Sequence, residues 1–269
     1  MIANQKYNSI LGSNYFEVTN KITLKIADAC HKATATYDLV FKRKYEDQCD
    51  VEITRLKFLV NQEKVVHKFP MLSNEYFDCL FPLQFKIEYD NLVVSNYKAI
   101  KERIAKKDHF LTNKYTGEGI DYIRSQFLKQ LEDEKATQRF IASIGILNSL
   151  NLTLQRFGKQ TPIAFNWNIP SIGSIKWHLD KVEATADTIE YHTDAIDKEV
   201  CVALVNTYFL VHRLERSSVE EGETVTGLFS MQIDYESNVL NVLQSTTNTK
   251  ISVGNNFEYE EYLFIKSLL

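Results

Sequence analysis

Phe81 to Leu92 and Gly227 to Val239 share one pattern. Apolar residues alternate with polar ones up to an Ile-acid-Tyr triplet, a polar turn holding Asn follows, and a second apolar run begins. Leu83, Phe85, Ile87 and Tyr89 map onto Phe229, Met231, Ile233 and Tyr235 at one constant offset. Alternation with period two gives a strand one buried and one wet face. The chain is therefore expected to carry two alternating hairpins packed on a core.

The flanks of the two hairpins extend the likeness. Alternating or apolar runs at 15–27, 33–42 and 51–60 read as three strands, the last ending Phe58-Leu59-Val60, before a loop holding Pro70. After the second helical stretch, strands are expected at 163–169, 175–184, 189–195 and 200–211, the last ending Phe209-Leu210-Val211. An acidic loop from Glu215 to Glu223 leads to the second hairpin. Each half thus reads as strands ending in Phe-Leu-Val, a loop, a hairpin and a helix.

The middle of the chain changes period. Tyr97, Ile100 and Ile104 have helical spacing behind Asn96, a residue type suited to an N-cap. Thr116-Gly117-Glu118-Gly119 reads as a loop-to-helix turn. Ile120, Ile123, Phe127, Leu128 and Leu131, then Phe140, Ile141, Ile144, Leu147 and Leu150, give two helices or one kinked helix. The tail, with Phe257, Tyr259, Tyr262, Leu263 and Ile265, reads as a short closing helix. The fold class expected is α+β: two antiparallel β-sheet units from a degenerate internal duplication, with a central helical segment and a short C-terminal helix. The halves divide at 1–158 and 159–269, packed tightly enough to form one domain.

Composition narrows function mainly by exclusion. A net charge of −4 and a pI near 5.9 provide no general attraction to nucleic acid or an anionic membrane. One local basic patch, Lys101, Arg103, Lys106 and Lys107, reads as a solvated helix face. The first eight residues lack the features of a secretory signal, and no apolar run is long enough for a membrane helix. Cys30, Cys49, Cys79 and Cys201 are widely spaced with no CxxC pair, so they read as reduced, mostly buried thiols in a cytoplasmic protein. Cys201 and His212 could meet across a hairpin, but a cysteine set between valines reads as inert. Nucleophile elbows, phosphate loops and zinc-protease motifs are missing from the sequence.

One constellation could carry chemistry. Trp177-His178-Leu179-Asp180 and Tyr191-His192-Thr193-Asp194 are paired His-x-Asp triplets in neighbouring strands. A hairpin closing around Thr185-Ala186-Asp187 would set His178 opposite Asp194 and Asp180 opposite His192, on one face. Imidazole and carboxylate are ligands for zinc, iron or manganese. The competing account is two cross-strand ion pairs on a solvated face.

The sequence thus leads to an expectation of a non-enzymatic interaction or assembly protein, partnered by another protein or by itself. No cofactor, nucleic-acid or membrane partner is expected. Two other readings stand beside it: a carrier holding an apolar ligand between sheet and helices, and a metal-dependent enzyme using His178, Asp180, His192 and Asp194.

Overall fold

The computed structural model describes residues 15–43, 50–89, 91–157, 164–170, 172–179, 181–212, 214, 223–236 and 241–268. The chain opens with β1 (Tyr15–Ile26), β2 (Ala29–Arg43) and β3 (Asp50–Val60). Helix α1 (Lys68–Asp78) leads to a hairpin of β4 (Leu83–Glu88) and β5 (Asn91–Val94). Four helices follow: α2 (Tyr97–Lys114), α3 (Glu118–Lys129), α4 (Glu134–Ser143) and α5 (Gly145–Phe157). The second half adds β6 (Ala164–Ile169), β7 (Gly173–His178), β8 (Lys181–Ala184), β9 (Thr188–Thr193), α6 (Lys198–Val211), β10 (Val225–Glu236), β11 (Asn241–Val253) and β12 (Phe257–Ser267). None of the described helices is long and apolar enough to cross a membrane.

Ten strands form one antiparallel sheet in the order β5-β4-β3-β2-β1-β12-β11-β10-β9-β8, and β6 pairs with β7 separately. Both halves are meanders, and they meet where the first described strand pairs with the last, from Phe16 opposite Ser267 to Ile26 opposite Phe257. The expectation of two sheet units is corrected by this seam: strands from both halves share a continuous ladder. In β12 the odd-numbered residues from Phe257 to Ser267 all face inward and are buried. The β6–β7 hairpin forms a second layer over the inner face, where Phe165, Trp167 and Trp177 surround the Phe229 ring at 4.6, 5.3 and 5.9 Å. Gly227 makes this packing possible, because a Cβ there would lie 2.9 Å from the Trp177 ring.

One inward polar residue is accounted for by what surrounds it. Arg55 on β3 sits among Phe58, Phe77, Phe81 and Tyr37, 4.4 to 6.0 Å from the ring centroids. It also pairs with Asp78 and donates to Asn74 Oδ1 at 2.6 Å, locking α1 to the sheet. At the opposite edge of this half, β5 is not open for strand addition. Leu92 N donates to Asn151 Oδ1 (2.8 Å), Val94 N donates to Gln138 Oε1 (2.7 Å), and Gln138 Nε2 returns a bond to Leu92 O (3.0 Å). Side chains from α4 and α5 thus substitute for a neighbouring strand.

Several expectations need correction. Residues 200–211 are the helix α6: Asp197 caps it by accepting from Val200 N at 3.2 Å, and Cys201, Val205 and Phe209 bury one stripe at i, i+4 and i+8. The tail is the strand β12, not a helix. Pro70 lies in the first turn of α1, where its missing N–H costs nothing. The second central helix is two, separated at Ile144, whose backbone is extended. Both alternating hairpins exist, yet Tyr89 is a turn residue 86% exposed while Tyr235 is an in-strand residue 9% exposed. The first Phe-Leu-Val ends a strand and the second ends a helix. The N-terminal residues, Cys49 and most of the acidic loop lie outside the described residues.

A single buried carboxylate ties the seam to the second layer. Glu261 on β12 is 6% exposed and accepts from Trp167 Nε1 on β6 (2.6 Å), Tyr259 OH (2.9 Å) and Asn20 Nδ2 on β1 (2.8 Å). Burial lifts its pKa above the ordinary glutamate value, against those three hydrogen bonds, which favour the ionised form. The folded chain therefore holds this proton more tightly than the unfolded chain. The associated stability is present in acid and is lost as pH rises from the unfolded value, near 4.5, through the raised folded one. In urea titrations across that window, wild type is expected to lose stability relative to Glu261→Gln as pH rises. Glu261→Ala is expected to cost roughly 1–3 kcal/mol, because it orphans the indole and phenol donors.

Candidate functional site

The site with the clearest binding chemistry is a cleft of about 300 Å3 between helices α1, α3 and α4 and the β6–β7 turn. Helical spacing builds two of its walls. Phe69, Ser73 and Phe77 recur every four residues along α1, and Tyr122, Gln126 and Gln130 do the same along α3. Ile123 and Phe127 continue the α3 wall, and Phe140 contributes from α4. Asn168, Ile169, Ile172 and Gly173 close it from the β6–β7 turn. Gly173 has φ 137° and lies so near α6 that a Cβ would approach Leu204 Cδ2 to 2.9 Å, so the turn's path requires glycine.

The cleft walls hold one another through ring contacts and one charged triad. Phe69 stacks on Tyr122 at 6.4 Å with 22° between planes, and Phe127 meets Tyr76 at 5.5 Å and Phe140 at 6.0 Å. Tyr76 OH donates to Asp108 Oδ1 at 2.7 Å, and Arg124 Nε bonds the same oxygen at 2.7 Å. Burial, with the bond to Asp108 added, pushes the Tyr76 phenol above its ordinary pKa, so it stays a donor. Residues of α1, α2 and α3 are thereby fixed together behind the cleft. Among the described residues no charged side chain lines it; its polar side chains are three carboxamides, the Ser73 hydroxyl and the Tyr122 phenol. Sites for small molecules typically span ~300–1,000 Å3, apolar with a few placed polar groups, and this cleft matches the small end of that range.

Other concavities are less suited to a ligand. A groove of about 350 Å3 on the outer sheet face includes Lys21, Lys250, Glu260 and Tyr262. There Lys250 pairs with Glu260 at 2.6 Å and Glu258 at 3.6 Å, and Lys25 pairs with Glu258 at 2.8 Å. These exposed charges satisfy each other. The basic patch is likewise half consumed: Arg103 donates to the carbonyls of Cys79, Leu80 and Pro82 at 2.9 to 3.1 Å, and Lys107 pairs with Glu75 at 2.5 Å.

The His-x-Asp residues are placed differently from the expected hairpin. His178 ends β7, which pairs with β6 and sets His178 opposite Ala164. The chain then re-enters a ladder as β8, with Lys181 opposite His192 and Val182 opposite Tyr191, one residue out of the expected register. The offset lets Val182 share the inward face with buried Tyr191. His192 is exposed and lies 3.3 Å from Glu190 Oε2, His178 and Asp194 are exposed, and Asp180 lies outside the described residues. Among the described residues no group of three or more His, Cys, Asp and Glu side chains could hold a metal ion.

Sequence reading took the α3 stripe as core, and Ile120 and Ile123 are indeed buried. It missed the neighbouring Tyr122, Gln126 and Gln130, whose own four-residue spacing is the signal for a second face. No protein-family description and no curated protein matches this chain. A solved lipovitellin structure, described for lipid–protein interactions, superposes with a TM-score of 0.42 at 9% identity, covering 95% of this chain and 25% of that one. A likeness of that size carries no argument about function.

Thiol accessibility separates the cysteines. Burial pushes the Cys79 thiol up to about 11 and the Cys201 thiol up to about 12, whereas Cys30 is exposed. Cys201 and His212 do not face each other across a hairpin, since α6 begins beside one and ends beside the other. In a Cys49→Ser background, a thiol reagent at pH 8 is expected to label Cys30 quickly. Cys79 and Cys201 are expected to react only at the rate of unfolding, and rapid labelling of all three would contradict this burial.

Proposed function

We propose that the protein is a carrier that holds a small, neutral, largely apolar molecule in the cleft between α1, α3, α4 and the β6–β7 turn. One observation carries this reading: the cleft combines aromatic walls with carboxamides and hydroxyls and, among the described residues, has no charged lining residue. Rings and isoleucines remove apolar surface from water, and the polar groups orient a neutral head without the desolvation cost of an ion. The rival reading, an assembly protein recruiting partners at sheet edges, is weakened at β5, where Gln138 and Asn151 fill the edge.

We also read β3–α1–β4–β5 and β9–α6–β10–β11 as degenerate copies dividing near residue 158. Support comes from their shared strand–helix–hairpin order, in which each helix joins two neighbouring antiparallel strands.

Mass spectrometry of small molecules extracted from the purified protein, together with titration of Nile red, tests the carrier reading. Wild type is expected to bind the dye and to release an apolar compound on denaturation. Ser73→Phe, which fills the cleft, is expected to lower dye affinity roughly tenfold or more, a loss of ~1.4 kcal/mol or greater, with the unfolding midpoint unchanged. Dye binding equal in wild type and Ser73→Phe, or none in either with no compound extracted, would overturn it.

A further inference from the structure

Five of the most exposed large apolar side chains are Val66 (74%), Phe69 (51%), Phe110 (57%), Leu210 (66%) and Val211 (53%). They come from the approach to α1 and its first turn, the C-terminal part of α2 and the end of α6. A chain of side-chain contacts runs among these elements. Lys114 Nζ lies 5.9 Å from the Phe110 ring and 5.2 Å from Tyr115; Lys68 Nζ lies 5.4 Å from the same Tyr115. Phe69, next to Lys68, stacks on Tyr122, and Tyr122 meets the edge of His212 at 6.2 Å, just beyond Leu210 and Val211. Phe69 and Tyr122 also line the cleft, so this surface borders the cleft.

We propose that this face docks the protein on a lipid bilayer surface bearing anionic headgroups. Charge complementarity selects that partner. The ammonium groups of Lys68 and Lys114 both lie over the Tyr115 ring, and that of Lys114 also lies near exposed Phe110, so two cations on flexible stems stand at the margin of the apolar side chains, from where lysine can extend to the headgroup level. Three of the five apolar side chains are aliphatic, and valine and leucine gain from an acyl environment but offer nothing to a nucleic-acid base. One face of the Phe69 ring is already covered by Tyr122, and Phe110 has lysines near it at positions 107 and 114, which leaves little room for base stacking. The docking reading goes beyond the carrier reading and does not need it.

Co-sedimentation with phosphatidylcholine vesicles, with and without phosphatidylglycerol, tests the proposal. Binding is expected only with phosphatidylglycerol present, weakening as salt rises. Lys68→Gln with Lys114→Gln is expected to lower partitioning roughly tenfold or more. Leu210→Ser with Val211→Ser, both at largely exposed positions, is expected to lower it to a similar extent with unchanged thermal unfolding. Absence of binding to either vesicle overturns the proposal, as does binding insensitive to the lysine substitutions. Retention by single-stranded DNA or polyglutamate in place of vesicles overturns it too. The vesicle assay reads docking and the Nile red titration, run without lipid, reads the cleft, so either reading can fail alone.

Discussion

The pairing of β1 with β12 is the constraint on which the other features rest. Each half of the chain is a meander that could end in an exposed edge at its inner strand, and such edges invite association. Joining the first and last described strands removes both edges at once and makes a single inner face wide enough for the β6–β7 layer and the helices. The seam also carries polar groups into the core. Asn20, Glu261 and Tyr259 face inward there, with Trp167 reaching down from the second layer to bond the carboxylate. A fully apolar seam would pack as well. The hydrogen-bonded carboxylate adds direction, fixing which residue of β6 stands over which residue of β12.

The same carboxylate explains the largest error in reading the sequence. Phe257, Tyr259, Leu263 and Ile265 alternate as a strand should, but Glu261 falls on an inward position and breaks the apolar beat, so the tail looked helical. Strand β3 is legible despite a similar interruption because Val51 and Ile53 alternate before Arg55 and the apolar Phe58-Leu59-Val60 follows it. Helix α6 was misread for the opposite reason. Its core is Val200-Cys201-Val202-Ala203-Leu204-Val205, whose branched side chains favour strands, and the deciding signal was the Asp197 cap and the buried i, i+4, i+8 stripe. Tertiary packing overrode local propensity.

The sheet strands of the first half, both alternating hairpins and the helical middle were legible because period two and period 3.6 are strong signals over long runs. The pairing across the two halves was not, since no local pattern says that residue 16 will meet residue 267. The cleft was only half visible. The α3 stripe could be seen, but a cleft forms where faces from α1, α3, α4 and a strand turn fail to close, and that gap belongs to the assembled structure. The His-x-Asp pairing depended on register: the observed ladder sets Lys181 opposite His192, one residue from the expected pairing, while His178 ends β7 and donates its backbone N–H to Ala195 O.

Native-state hydrogen exchange read residue by residue tests the central claim most directly. If the seam holds the sheet together, the inner amides of β1 and β12 exchange only through global unfolding and rank among the slowest in the protein, while those of β5 and β8 open earlier. Protection that is weak along β1 and β12 but strong within each half would contradict the account, since it would show two bodies touching along a line that either can leave.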